Sequence, residues 1–361
     1  MGPMSQVRAQ TARTAAPSGS DIAPGHAPRR SRILVALVLA GAVAVVVANR
    51  SELPQAWRVL RSADPAWLAL AALCSGLFMV DLAAKQAAAQ RVVGLEGRTV
   101  SLLPVAQAGN FLNLVTKSGG MAGLAAFTGA ARKRGQRRGP VVAAYMIVAV
   151  LDMVAFAVVL AAALVGLAVN GHFGTSDAVA AAVFVVYLSV TVGSAAAAFR
   201  SRASVRAVFA LPRRITTAAR RALGRPSKEP ADDHERADEL YDSIEELRRH
   251  PRGLWAPALA ALAVDLLGIA QLWTVLLAVG ATLSPSVPLV AYCVSTLFGI
   301  VGFLPGGLGF VELSLGGVLV QLGIPVAVGA AAVVLFRLTE FWVPLAVGSL
   351  AARRVLVGEA R

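Results

Sequence analysis

The stretch GIVGFLPGGLGFVE, Gly299 to Glu312, decides how the chain is read, because it sets a proline, several glycines and an acid between two apolar runs. The run leading into the break, Pro288 to Phe303, and the run out of it, Leu308 to Leu322, hold 16 and 15 residues. A helix needs roughly 20 to cross a bilayer, so the stretch reads as a helix broken at membrane depth. Backbone released from a helix inside hydrocarbon leaves amides and carbonyls without water. Such a break persists only where protein, water or a ligand supplies partners, which makes it a candidate site.

The rest of the composition agrees with that setting. Of 361 residues, 57% are hydrophobic and only 15% charged, and the mean hydropathy is +0.68. These values place the chain among polytopic membrane proteins. The formal charge of +14 lies in segments between apolar runs. The positive-inside rule and anionic lipid head groups account for it, and nucleic acid is not an expected partner. Cys74 and Cys293 sit within apolar runs and read as buried thiols. His26, His172, His234 and His250 fall in polar connections without ligand spacing, so neither a metal nor another cofactor is expected.

Taken in order, residues 1–32 are rich in Ala, Pro, Ser, Gly and Arg and read as a disordered, basic cytoplasmic tail. Residues 33–199 form a first membrane half. Its spanning helices are expected at Ile33 to Ala48, Pro65 to about Ala89, Pro140 to Val169 and Asp177 to Phe199. Ile33 to Ala48 exceeds a signal-peptide core and ends at Asn49-Arg50 instead of a clean cleavage site. Asp81 and Lys85, at i,i+4 in the second helix, read as a pair snorkelling to the interface. Residues 200–252 form a cytoplasmic connection that begins with a basic amphipathic helix around Val205 to Ile215. Residues 253–352 form the second membrane half, with spans at Leu254 to Gly280 and Val326 to Leu350, and 353–361 a short cytoplasmic tail.

The first half carries a break of its own. From Ser101 an apolar run of about fifteen residues, a Thr-Lys-Ser-Gly-Gly interruption, a run of about ten and a dense basic cluster follow one another. Ser118-Gly119-Gly120 stands against Pro305-Gly306-Gly307, Ala66-Trp67 against Leu254-Trp255, and Asp152 against Glu340, all at an offset of 187 or 188 residues. The expected fold is therefore all-α and polytopic, with about six spanning helices and two re-entrant helical hairpins in two repeat units. The loop charges put both termini on the cytoplasmic side and make the hairpins enter from opposite faces, an inverted-topology repeat.

Ionisable groups within spanning segments mark pathways or structural ion pairs. The set is Lys117 in the first break, Glu312 after the second, Arg337 and Glu340 at i,i+3 in the last helix, and Asp152 and Asp265. Two readings stand side by side: an ion-pair set that locks helices together, for example Arg337 with Glu312 or Glu340, and a set that handles a ligand. In the second, Lys117 and Arg337 are the cations to set against a phosphate. Asn110 and Asn113 share a helix face approaching Lys117 and suit either the broken backbone or a head group.

The segment Pro305 to Gly348 resembles the C-terminal signature of the lysylphosphatidylglycerol synthase transmembrane region family, also called flippase-like proteins. The resemblance is carried by Pro305, Gly306, Gly307, Gly309, Glu312, Arg337, Phe341, Trp342 and Pro344. Asn110, Asn113, Ser118, Gly119, Gly120 and Gly123 are similar, more loosely, to the family's first re-entrant motif. The resemblance implies a cell-membrane protein that binds an anionic phospholipid or polyprenyl-linked lipid and moves it between leaflets. No P-loop, metal cluster or nucleophile and base arrangement is visible, so a transporter is expected in preference to an enzyme. The alternatives are a scaffold for a lipid or glycan biosynthesis enzyme, docked through 200–252, and a lipid-modifying transferase.

Overall fold

The computed structural model describes residues 53–116, 118–169, 251–281, 284–301 and 304–357, with isolated positions between 182 and 193. The expected spans at 33–48 and 177–199, Lys117, the four histidines and the amphipathic segment around 205–215 lie outside the described residues, apart from those isolated positions.

Every described element is helical. A short helix α1 (Leu53–Arg61) precedes α2 (Pro65–Val92). Asp64 caps α2 by accepting the Ala66 N–H at 2.8 Å, and Pro65 takes a first-turn position where a missing N–H costs nothing. Two shorter helices follow, α3 (Thr99–Thr116) and α4 (Met121–Lys133), and then the long α5 (Arg138–Val169). After a 3-10 turn at Pro251–Leu254 the same order returns: a long helix α6 (Trp255–Ala278), short α7 (Ser286–Val301) and α8 (Phe310–Gln321), then α9 (Val326–Arg337), which runs through a π turn into α10 (Val343–Val357). Four stretches are long and apolar enough to cross a membrane: Pro65–Val92, Arg138–Val165, Arg252–Ala278 and Val326–Val355. They coincide with four of the six expected spans. At 1.5 Å per residue the 16 residues of α7 and the 12 of α8 extend only about 24 and 18 Å, against about 30 Å of hydrocarbon.

The packing of the two halves is reciprocal. The first long helices, α2 and α6, run against each other over the most extensive contact in the molecule. The first short helix of each half packs on the closing helix of the other half, α3 on α10 and α7 on α5. The largest core cluster draws on both halves, with Phe156 and Leu160 of α5 beside Leu272, Leu276, Leu315, Leu319 and Phe336. Outward faces carry exposed apolar side chains, among them Leu73, Leu77, Val154, Val158, Leu259 and Leu266, as helix faces turned to lipid require. Cys74 and Cys293 are free, buried thiols.

On α1 the Arg61 guanidinium stacks over the Trp57 ring at 4.8 Å. One expectation is corrected. Lys85 does not snorkel with Asp81. It is buried, and its ammonium donates to both carboxylate oxygens of Asp152 on α5 at 2.9 Å. The i,i+4 spacing pointed to the wrong acid because α5 brings a carboxylate into the interior, where a charge must find a partner. Replacing Lys85 by Met strands that carboxylate. The expected loss is about 3 kcal/mol, the low end for a broken buried pair, since 32% of the Asp152 side chain is exposed. Thermal unfolding in detergent should show it, and Lys85→Met with Asp152→Leu should recover most of it; a single variant melting like wild type would remove the pair from the account.

Candidate functional site

The break that opened the sequence reading is built as a clamp. After α7 the chain makes a 3-10 turn over Pro305–Gly307, with Gly306 at φ 62° and ψ 14°. A side chain at Gly306 would be strained by that backbone and would run into the Phe341 ring, so glycine is required twice over. The Gly306 carbonyl, turned out of any helix, accepts from Arg337 Nη2 at 3.0 Å. Arg337 is 4% exposed and also donates from Nε to Glu312 Oε1 at 2.7 Å and from Nη1 to Glu340 Oε2 at 3.0 Å. Its guanidinium lies 4.3 Å from the centroid of the Phe341 ring. Glu312, three residues past Gly309, reaches back with Oε2 to the Gly309 N–H at 2.6 Å and so caps α8. One carboxylate thus ties the start of α8 to the cation that ties down the break.

The helix carrying Arg337 is itself modified. Over Leu338–Trp342 the backbone adopts a π turn, and the Val343 N–H bonds to Leu338 O, five residues back. Pro344 has no N–H to offer Thr339 O in that register, and the freed carbonyl accepts from Ser75 Oγ of α2 at 2.7 Å. The expected helix over 326–350 is therefore one continuous span, widened by a π turn at Leu338–Trp342.

The first break is held by neutral groups. Gly119 and Gly120 take φ of 61° and 89°. Ser118 Oγ accepts from the Ala122 N–H at 2.9 Å and from Thr116 Oγ1 at 3.0 Å, which caps α4. Asn113 accepts from the Gly123 N–H at 2.7 Å and donates to Tyr145 Oη at 3.0 Å, and that hydroxyl donates to Gly120 O at 2.9 Å.

Both breaks border one cavity of about 400 Å³. Of the residues singled out in the sequence, Asn113, Gly119, Gly120, Gly306, Gly307, Arg337 and Glu340 line it. Glu312 stands behind Arg337 in the clamp, Ser118 and Gly309 serve as caps, and Pro305 opens the 3-10 turn. Asn110 is partly buried on α3, outside the lining. Asp152 is engaged by Lys85, and Asp265 accepts from Tyr292 Oη at 3.0 Å. The wall from α6 and α7 adds Gln271, Tyr292, Ser295 and Thr296, which a search for charges passes over. Their signal in the sequence is weaker but present: an uncharged polar residue inside an apolar span. Among the described residues no three His, Cys, Asp or Glu gather closely enough to hold a metal ion.

The two breaks should respond differently to the same substitution. Gly119→Ala meets open space and carries only the positive-φ penalty, whereas Gly306→Ala also displaces Phe341 and the carbonyl bound by Arg337. Backbone strain alone amounts to about 1–3 kcal/mol. Thermal unfolding should rank Gly306→Ala below Gly119→Ala; equal losses would mean that the contact with Phe341 contributes nothing.

Comparison with known proteins places this geometry. Over 80 residues, 22% of this chain, it is 31% identical to a UPF0104 membrane protein from Methanothermobacter thermautotrophicus, and that match spans 24% of the relative's own length. The family model for the lysylphosphatidylglycerol synthase TM region matches residues 33–348, from before the first described helix into the last. Because that match takes in both breaks and the clamp that closes the second, this multi-pass integral membrane protein belongs to the lysylphosphatidylglycerol synthase transmembrane region family.

Proposed function

We propose that the chain binds an anionic lipid head group, of a phospholipid or a polyprenyl-linked lipid, in the cavity between the two breaks and carries it from one leaflet to the other. The observation that supports this most is the meeting of two glycine-rich breaks on one cavity of about 400 Å³, bordered by helices of both halves. Discontinuous helices that meet at a repeat interface are where many secondary transporters hold their substrates. The reciprocal packing of α3 on α10 and of α7 on α5 favours two units related by inversion, with α3–α4 and α7–α8 as hairpins entering from opposite faces. The basic termini and connections then lie on the cytoplasmic side, as the positive-inside rule asks. On this reading the chain is a transporter and not an enzyme, its partners are membrane lipids, Lys117 is the cation the sequence offers to a phosphate, and Arg337 anchors the wall of the site.

Thr296 offers a way to close the cavity without touching the clamp. It lines the cavity from α7 and is partly exposed. In liposomes with labelled phosphatidylglycerol or a labelled polyprenyl phosphate, wild type should exchange lipid between leaflets, and Thr296→Phe should slow that exchange at least about tenfold at unchanged melting temperature. Equal rates with empty liposomes and with wild type would remove the transport reading.

A further inference from the structure

Several of the polar side chains that line the cavity are engaged by the protein itself. Asn113 is committed at both ends of its amide, to Gly123 and to Tyr145. Arg337 donates to Glu312, Glu340 and Gly306 O. Tyr292 donates its hydroxyl to Asp265, and Ser295 donates to Tyr292 O at 2.9 Å. Gln271 differs. It is 3% exposed, it lines the cavity, and among the described residues its Nε2 has no hydrogen-bond partner.

Its position is set by close packing. Gly268, one turn earlier on α6, lies under the Tyr292 ring, and any side chain there would collide with that ring. The close approach of α7 keeps Tyr292 against α6 and leaves Gln271, the next residue on that face, at the cavity wall. An amide N–H sealed inside a bundle without an acceptor costs about 1–3 kcal/mol, a cost the site recovers if a ligand brings the acceptor. A buried donor at a cavity wall also discriminates strongly, because a ligand lacking the matching oxygen leaves it unpaired.

We infer that Gln271 is a head-group-binding residue, whose amide, turned by half a revolution about its last side-chain bond, donates from Nε2 to an acceptor oxygen of the bound lipid, a phosphoryl oxygen in a phospholipid or in a polyprenyl phosphate alike. The inference rests on the lipid-binding reading and sharpens it. The guanidinium of Arg337 is held by two carboxylates and a carbonyl, so the Gln271 amide is the buried neutral group at the cavity wall left to meet a substrate. Arg337 shapes the wall, and Gln271 reads the ligand.

The test uses the full chain in detergent as wild type, Gln271→Leu and Gln271→Glu. Each is titrated with mixed micelles of a short-chain phosphatidylglycerol in one arm and of a prenyl phosphate in the other, with melting temperature as the readout. Without lipid, Gln271→Leu should melt at or above wild type, since it removes an unpaired buried donor. Its affinity for the lipid that stabilises wild type should fall about tenfold, the weight of one hydrogen bond. Gln271→Glu should bind at least as weakly, since it offers only acceptors and a charge. The arm in which wild type responds tells which lipid supplies the oxygen. Equal lipid response in wild type and Gln271→Leu overturns the inference alone, as does a lipid-free Gln271→Leu that melts clearly below wild type, which marks a satisfied structural amide. Tighter binding by Gln271→Glu overturns it too, since the cavity would then be reading a donor. If wild type responds to neither lipid, the lipid-binding reading falls and the inference falls with it.

Discussion

A carbonyl turned out of a helix within the membrane domain needs a partner from the protein, and the Gly306 carbonyl is in that position. Arg337 answers it, and much of the second half follows from that answer. A guanidinium needs its own counter-charges at such depth, so Glu312 and Glu340 close around it, at 2.7 and 3.0 Å. Glu312 could not serve unless α8 began where it does, and its second oxygen fixes that start by capping Gly309. Phe341 supplies the face on which the guanidinium rests, and its ring forbids any side chain at Gly306. The π turn and Pro344 complete the arrangement by freeing Thr339 O for Ser75, which anchors the clamp to α2 in the other half.

Among the described residues the first break solves the same problem with neutral groups. Ser118, Asn113 and Tyr145 satisfy the backbone around Gly119 and Gly120 through neutral hydrogen bonds. Such bonds are worth less each than charge-assisted ones, about 1 kcal/mol against 1.5–3. Among the described residues the two walls of the cavity thus differ in chemistry: an ionic lock on one side and a hydroxyl and amide network on the other.

Much of this is legible in the sequence. The Pro-Gly-Gly break, its upstream partner, four spans and the charged set of Glu312, Arg337 and Glu340 all follow from hydrophobic run length and from the cost of charge in hydrocarbon. What was not readable depended on which helix lies beside which. Lys85 pairs with Asp152, 67 positions away, and not with Asp81 one turn back, because only tertiary packing brings α5 to α2. The π turn was hidden because Pro344 alone signals a lost bond and not a change of register. Gln271 escaped notice because an uncharged amide in an apolar helix looks like any tolerated polar residue until a cavity is seen beside it. The break itself first stood out as an interruption; its carbonyl and cap prove to be what Arg337 and Glu312 are there to satisfy.

The central claim is that both breaks face one lipid head group. Photo-crosslinking in native-like bilayers tests it most directly, using an anionic lipid with the photoreactive group at the head and peptide mapping of the adducts. Adducts confined to the segments around Gly119–Gly120 and Gly306–Gly307 and to the wall at Gln271 are the predicted result. Labelling restricted to the outward faces of α5 and α6, at Val154, Val158 and Leu259, would contradict it.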